Sequence, residues 1–154
     1  MKIEKKYFIR RNLDSFAEEE FAKYLLRKGV QPFYPFKDIG IDMLGYNNGK
    51  VELYQLKARR QQARNKNLYW FSVRKKDIEK LLNFKNAFFV FCALQPNYTF
   101  HFFKVPIKIV KKYFERRKTK KPEMEFFEIE KIDEEKYDIR PKYIKIDINK
   151  FLAK

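Results

Sequence analysis

Apolar positions along this chain fall into short blocks whose spacing switches between helical and extended. From Ser15 to Lys28, Phe16, Phe21, Leu25 and Leu26 recur near one face, which predicts a helix opened by Asp14 or Ser15 and stopped by Gly29. Val30 to Tyr34 predicts a strand closed by Pro35. Ile39–Tyr46 and Lys50–Ala58 are strand-like runs flanking Asn47-Asn48-Gly49, and Asn-Gly between such runs is the strongest short hairpin signal. A strand over Leu68–Val73 and a helix from near Lys75 to Leu82 follow. The fully apolar run Ala87–Leu94 has strand length. Tyr98–Lys104 alternates as a further strand after the turn Gln95-Pro96-Asn97. Pro106–Arg117 predicts a helix with Pro106 in its first turn and Ile107, Val110 and Phe114 as its buried stripe. Glu125–Lys131 and Tyr143–Ile148 predict two strands outside the core. This order predicts an α/β three-layer arrangement around a mixed sheet. Residues 1–121 form the core, and residues 122–154 form a C-terminal extension packed on it within a single domain.

The hairpin carries more than secondary structure. A two-residue Asn48-Gly49 turn places Asn47 opposite Lys50 and fixes the register of every later pair. Asp42 then falls opposite Gln55, where facing Cβ atoms lie ~4.5–5.5 Å apart on one face. Lys57, two residues on, shares that face. Glu52 falls on the opposite face and reads as a solvated charge, and Asp38 joins the group only if the strand extends back that far.

A carboxylate, an amide oxygen and an ammonium at such close quarters suit phosphodiester hydrolysis. Mg²⁺ or Mn²⁺ takes hard oxygen ligands; Asp42 supplies a charged one and Gln55 a neutral one. A bound cation polarises a phosphate and acidifies a water, and Lys57 can orient that water or stabilise developing negative charge. Taken singly, the same residues read as a turn former and a solvated strand lysine.

Composition narrows the partner. The 154 residues carry a formal charge of +16, far more than solubility calls for, and a polyanion such as DNA is the natural counterpart. Residues 1–121 hold 29 Lys and Arg against 11 Asp and Glu, whereas residues 122–154 hold 7 against 9, so the partner-facing surface belongs to the first part. One cysteine, Cys92, and one histidine, His101, argue against a disulfide, a Cys- or His-based zinc site and a Ser-His-Asp triad. Cys92, inside an apolar run, reads as a small core residue. The charged N-terminus lacks a signal-peptide pattern, and no apolar run reaches the ~20 residues of a membrane helix. The expectation is a cytoplasmic protein without membrane contact.

Two stretches resemble a known family. Ala17-Glu18-Glu19-Glu20-Phe21-Ala22-Lys23-Tyr24-Leu25-Leu26-Arg27-Lys28-Gly29-Val30 is similar to the first helix of archaeal Holliday-junction resolvases. Gly40-Ile41-Asp42-Met43-Leu44 with Tyr54-Gln55-Leu56-Lys57 resembles the G-x-D and (D/E/Q)-x-K elements of the PD-(D/E)xK nucleases. The resemblance covers roughly residues 14–60. It implies a restriction-endonuclease-like α/β/α fold. It also implies an active-site role for Glu18, metal ligation by Asp42, Gln55 and the Leu56 carbonyl, and a catalytic Lys57. Resolvases usually carry Glu where Gln55 stands, while Q-x-K is seen in Mrr-type restriction endonucleases. The substitution removes a negative charge from the metal site. The alternative is therefore a catalytically silent nucleic-acid-binding protein on the same fold.

The loop Arg59–Asn67 follows the motif strand directly. Its Arg59, Arg60, Arg64 and Lys66 are candidate DNA-backbone contacts. A second basic run (Lys111, Lys112, Arg116, Arg117, Lys118, Lys120, Lys121) reads equally as a DNA contact or as charge favoured at a helix C-terminus. Tyr69, Trp70 and Phe71 read as core before base-stacking. Together these point to a Mg²⁺-dependent DNA endonuclease acting on duplex or branched DNA, with a homodimer expected because cutting both strands calls for two sites.

Overall fold

The computed structural model describes residues 12–36, 40–118 and 124–154. Asp38, Lys120 and Lys121 lie outside the described residues. The first helix, α1 (Leu13–Arg27), buries Phe16, Ala17, Phe21 and Leu25 at the 3.6-residue period the sequence shows. It begins two residues earlier than expected. Asn12 stands at its N-cap, without a capping side-chain bond, in place of Asp14 or Ser15. At the other end Gly29 takes φ +76°, and its N–H and that of Val30 close on the Leu26 and Leu25 carbonyls.

Five strands follow in one sheet: β1 (Gln31–Phe33), β2 (Met43–Asn47), β3 (Lys50–Arg59), β5 (Ala87–Leu94) and β6 (Phe100–Pro106), in the spatial order β1-β2-β3-β5-β6. β3 and β5 run parallel and the other neighbours antiparallel, so the sheet is mixed. A parallel pair needs a crossover. Here the crossover contains β4 (Leu68–Arg74) and α2 (Lys75–Leu82). β5 lies between β3 and β6, and its apolar run is buried on both faces. On one face Val90 and Cys92 meet α1; on the other Phe89, Phe91 and Ala93 enter the larger core. Cys92 is wholly enclosed, as a small core residue, and burial pushes its thiol pKa well up.

The larger core is covered by α2, by α3 (Ile107–Arg116) and by a second sheet in which β7 (Met124–Asp133) lies between β4 and β8 (Lys136–Arg140). Pro106 ends up as the N-cap of α3, one position outside the helix. Tyr69 and Phe71 are fully buried, and Trp70, partly exposed, packs against Phe126. The C-terminal residues are thus built into the core: Phe127 lies 4.3 Å, ring centre to ring centre, from both Phe91 and Tyr113.

Two strand expectations change. No strand covers Tyr143–Ile148. Its alternating Ile144, Ile146 and Ile148 do pack inward, but the Ile144 and Ile146 N–H groups bond locally to Pro141 and Ile144 carbonyls, and Ile148 opens a 3-10 turn. β8 lies instead over Lys136–Arg140, a charged segment whose Tyr137 and Ile139 alternate into the core.

Candidate active site at the edge of strand β3

The Asn48-Gly49 turn forms with φ +49° and +80°, the left-handed pair a two-residue hairpin turn requires. Asn47 faces Lys50, and the expected register holds through Met43 opposite Tyr54. At Asp42 the ladder ends. The Asp42 N–H bonds the Tyr54 carbonyl at 2.9 Å, one residue short of the register, as at a β-bulge. The Asp42 carboxylate then accepts the Leu56 N–H at 2.8 Å. Asp42 is therefore not the ladder partner of Gln55. Its side chain takes the hydrogen bond that a longer β2 would have made, at the residue next to Gln55.

This bond orients β3. Within a strand the N–H and C=O of one residue point to the same side, so the Leu56 carbonyl also faces the open edge beside Asp42. Gln55 and Lys57 project from one sheet face, with Leu53 and Arg59; Tyr54, Leu56 and Ala58 project from the other, onto α1. Gln55 is buried, and its Oε1 has no hydrogen-bond partner among the described residues. An amide oxygen left so costs ~1–3 kcal/mol and marks a place for a water or a cation.

Glu18 is half-buried on α1, which packs on the sheet face opposite the one that carries Gln55 and Lys57. Burial, then the Asp42 charge, then Asp14 hold its carboxyl at a pKa of about 7. The Asp42 contribution places the two carboxylates within electrostatic reach. Two nearby features have no signal in the sequence. Gly40 sits at φ +77°, and a Cβ there would meet Lys80 Cδ at 2.9 Å, so an α2 lysine lies against the turn leading to Asp42. The phenol pKa of Tyr34 is raised, first by partial burial and then by the charges of Glu18 and Glu19. Neither partner is near in sequence.

Glu52 lies on the opposite face, as expected, but is paired rather than free in solvent. Lys104 Nζ is 2.8 Å from Oε2, Tyr54 Oη donates at 2.7 Å, and its pKa is lowered by these partners against the effect of burial. Of the loop cations, Arg60, Arg64 and Lys66 are exposed. Arg59 is half-buried and donates to the Ala58 carbonyl at 2.6 Å and to Ser72 Oγ at 2.7 Å. The second basic run divides: Arg117 is held by Glu128 at 2.7 Å and by Tyr113, whereas Lys112, Arg116 and Lys118 stay exposed.

The residues fit a hard cation in part. Asp42 and the Leu56 carbonyl offer two oxygens at the open edge of β3, and the adjoining Gln55 offers a third, Oε1, buried on one sheet face. Among the described residues no three His, Cys, Asp or Glu side chains gather at one place, so a cation here would rely on the neutral oxygens.

The fold is the restriction-endonuclease-like one that the hairpin motif resembles. Two solved structures share it. The bacterial homing endonuclease I-Ssp6803I superposes with a TM-score of 0.58 over 90% of this chain and 83% of its own, at 14% identity. Hjc, a Holliday junction resolvase from the archaeal hyperthermophile Archaeoglobus fulgidus, superposes with a TM-score of 0.50 over 73% of this chain and 82% of its own, also at 14% identity. No protein-family model and no curated protein sequence matches the chain. Among the described residues no helix is long and apolar enough to cross a membrane.

Proposed function

We propose that the protein is a Mg²⁺- or Mn²⁺-dependent DNA endonuclease whose site is Glu18, Asp42, Gln55, the Leu56 carbonyl and Lys57. The observation that carries this reading is the orphaned Oε1 of Gln55, the residue preceding Leu56, whose N–H anchors the Asp42 carboxylate. Asp42, Gln55 and the Leu56 carbonyl would hold the cation. When bound, it supplies Lewis acidity toward a phosphate oxygen and a water. Lys57, on the Gln55 face, supplies the ammonium that stabilises the charge developing on the phosphate. Glu18, near half-protonation at neutral pH, can take or give a proton at its carboxyl. Arg60, Arg64 and Lys66, with the remaining donors of Arg59, contact the DNA backbone. Assembly as a homodimer and residence in the cytoplasm belong to the same proposal.

Nicking of supercoiled plasmid with Mg²⁺ or Mn²⁺, and its loss with EDTA, is the test. Asp42→Ala should abolish nicking and leave DNA binding largely intact, because it removes a metal charge and no phosphate-binding cation. Nicking by that variant at the wild-type rate would end the proposal.

A second reading, a binding protein without catalysis, is favoured by one observation: the amide at Gln55 leaves Asp42 and Glu18 as the site's only acids among the described residues. Gln55→Glu separates the two. If Gln55 ligates through oxygen, a carboxylate there should raise Mn²⁺ affinity in calorimetric titration and keep or increase nicking. Equal affinity in wild type, Gln55→Glu and Gln55→Ala would give the weight to the binding protein.

A further inference from the structure

Glu125 occupies a place in the core-facing row of β7. Phe127 and Ile129 follow it at every second position, which is the spacing of one strand face, and all three are buried, Glu125 to 5% exposure. Opposite it on β4 stands Val73, also buried. Among the described residues Glu125 Oε2 has no hydrogen-bond partner. A buried carboxylate in that state is unfavourable unless a cation or a donor reaches it. Glu125 lines a cleft of about 250 Å³ between α2 and α3. From α2 the cleft takes Lys75, Ile78, Glu79 and Leu82, spaced as one helix face; from α3 it takes Lys111, Phe114 and Glu115, spaced likewise.

We propose that this cleft binds a small linear diamine or polyamine, with one ammonium on Glu125 and the alkyl chain along Ile78, Leu82 and Phe114. Charge selects a cation. Among the described residues the lining carries three carboxylates against two ammoniums, in a chain whose formal charge is +16. Lys111 is turned to Glu115, at 3.6 Å, and leaves Glu125 unmet. The walls select an organic cation. Ile78 and Phe114 are buried and Leu82 packs half-buried against the core, so an aliphatic stem finds apolar contacts there while a hydrated metal ion finds no ligands. Nor do the three carboxylates gather closely enough to hold a metal. Burial sets the shape of the ligand. Glu79 and Glu115 are exposed at the rim, Glu125 is buried, and the apolar side chains belong to the same lining. A short alkyl chain with an ammonium at each end matches that order. None of these residues belongs to the Asp42 edge, and the inference does not depend on the DNA-cleaving reading.

The test is calorimetric titration of the whole chain, in EDTA, with butane-1,4-diamine and with spermidine. So basic a molecule repels free cations over most of its surface, and saturable binding therefore reports the cleft. Both amines should saturate, and butylamine should bind more weakly because it lacks the second charge. Glu125→Gln should weaken diamine binding about tenfold or more, the range expected when a hydrogen bond between charged groups loses one charge. Leu82→Trp fills the cleft, leaves Glu125 in place and should weaken binding as far; circular dichroism checks the fold of both variants. Absence of saturable binding by wild type overturns the proposal, as does unchanged affinity in either folded variant. Displacement of the diamine by an equal concentration of Mg²⁺, with EDTA omitted, would make the cleft an inorganic-cation site. Tighter binding of acetyl-lysine amide than of the diamine would give it to the lysine of a protein partner. Either result overturns the free amine as ligand.

Discussion

At the residue scale, Glu18 gives the proposed site a pH signature. Its folded-state pKa, about 7, is raised from 4.5 by burial and by Asp42 and Asp14. A raised carboxyl means that the folded protein holds the proton more tightly than the unfolded chain. The associated stability is full below pH 4.5 and is lost as pH rises through about 7. Glu18→Gln has no charge to lose. In EDTA, its denaturation midpoint should therefore gain on wild type between about pH 5 and about pH 8. A constant difference over that range would mean that Glu18 titrates normally. The faces of β3 were legible in the sequence, because the Asn-Gly turn fixes them. The exact place of Asp42 was not legible. It depends on a competition for the Leu56 N–H between a continued strand and a carboxylate, and the carboxylate wins at 2.8 Å.

At the element scale, the hairpin turn fixes the pairing of β2 with β3. Gly49 holds φ +80°, and a Cβ there would touch nothing within 4 Å. The cost of Gly49→Ala is then conformational alone, about 1–2 kcal/mol, and should appear in urea denaturation as a lower midpoint with an unchanged slope. A shift near zero would mean that the turn adopts another conformation. The helices and the strands of the central sheet were legible because each carries its own period. β8 was not, because Lys136, Asp138 and Arg140 outnumber the two side chains that decide it, Tyr137 and Ile139. The Tyr143–Ile148 run shows the converse: a period of two places its isoleucines inward without any strand to pair with.

At the scale of the whole molecule, the second sheet was the least legible feature. β4 pairs with β7, Leu68 opposite Glu130 through Arg74 opposite Met124, and no local pattern announces a partner so distant in the chain. Phe127 ties that sheet to the central one. Phe127→Ala should cost about 3–5 kcal/mol and lower a single cooperative transition measured by both near- and far-ultraviolet circular dichroism. Two separate transitions would mean that the C-terminal residues unfold on their own. The charge of the molecule predicts steep salt dependence of DNA binding. Removing Arg59, Arg60 and Arg64 together should lower the slope of log K against log salt by about 2 to 3, at ~0.9 per phosphate contact; an unchanged slope would place the contacts elsewhere. The pairing of β4 with β7 also bears on the order in which the molecule assembles. A hairpin such as β2–β3 closes within microseconds, but the basic loop is tethered at its far end to β4, whose sheet neighbour is β7. Long-range pairings of this kind close late, in milliseconds to seconds. The carboxylate edge can therefore take shape well before the cationic loop beside it is held in place, so that during folding the acid is set before the bases around it.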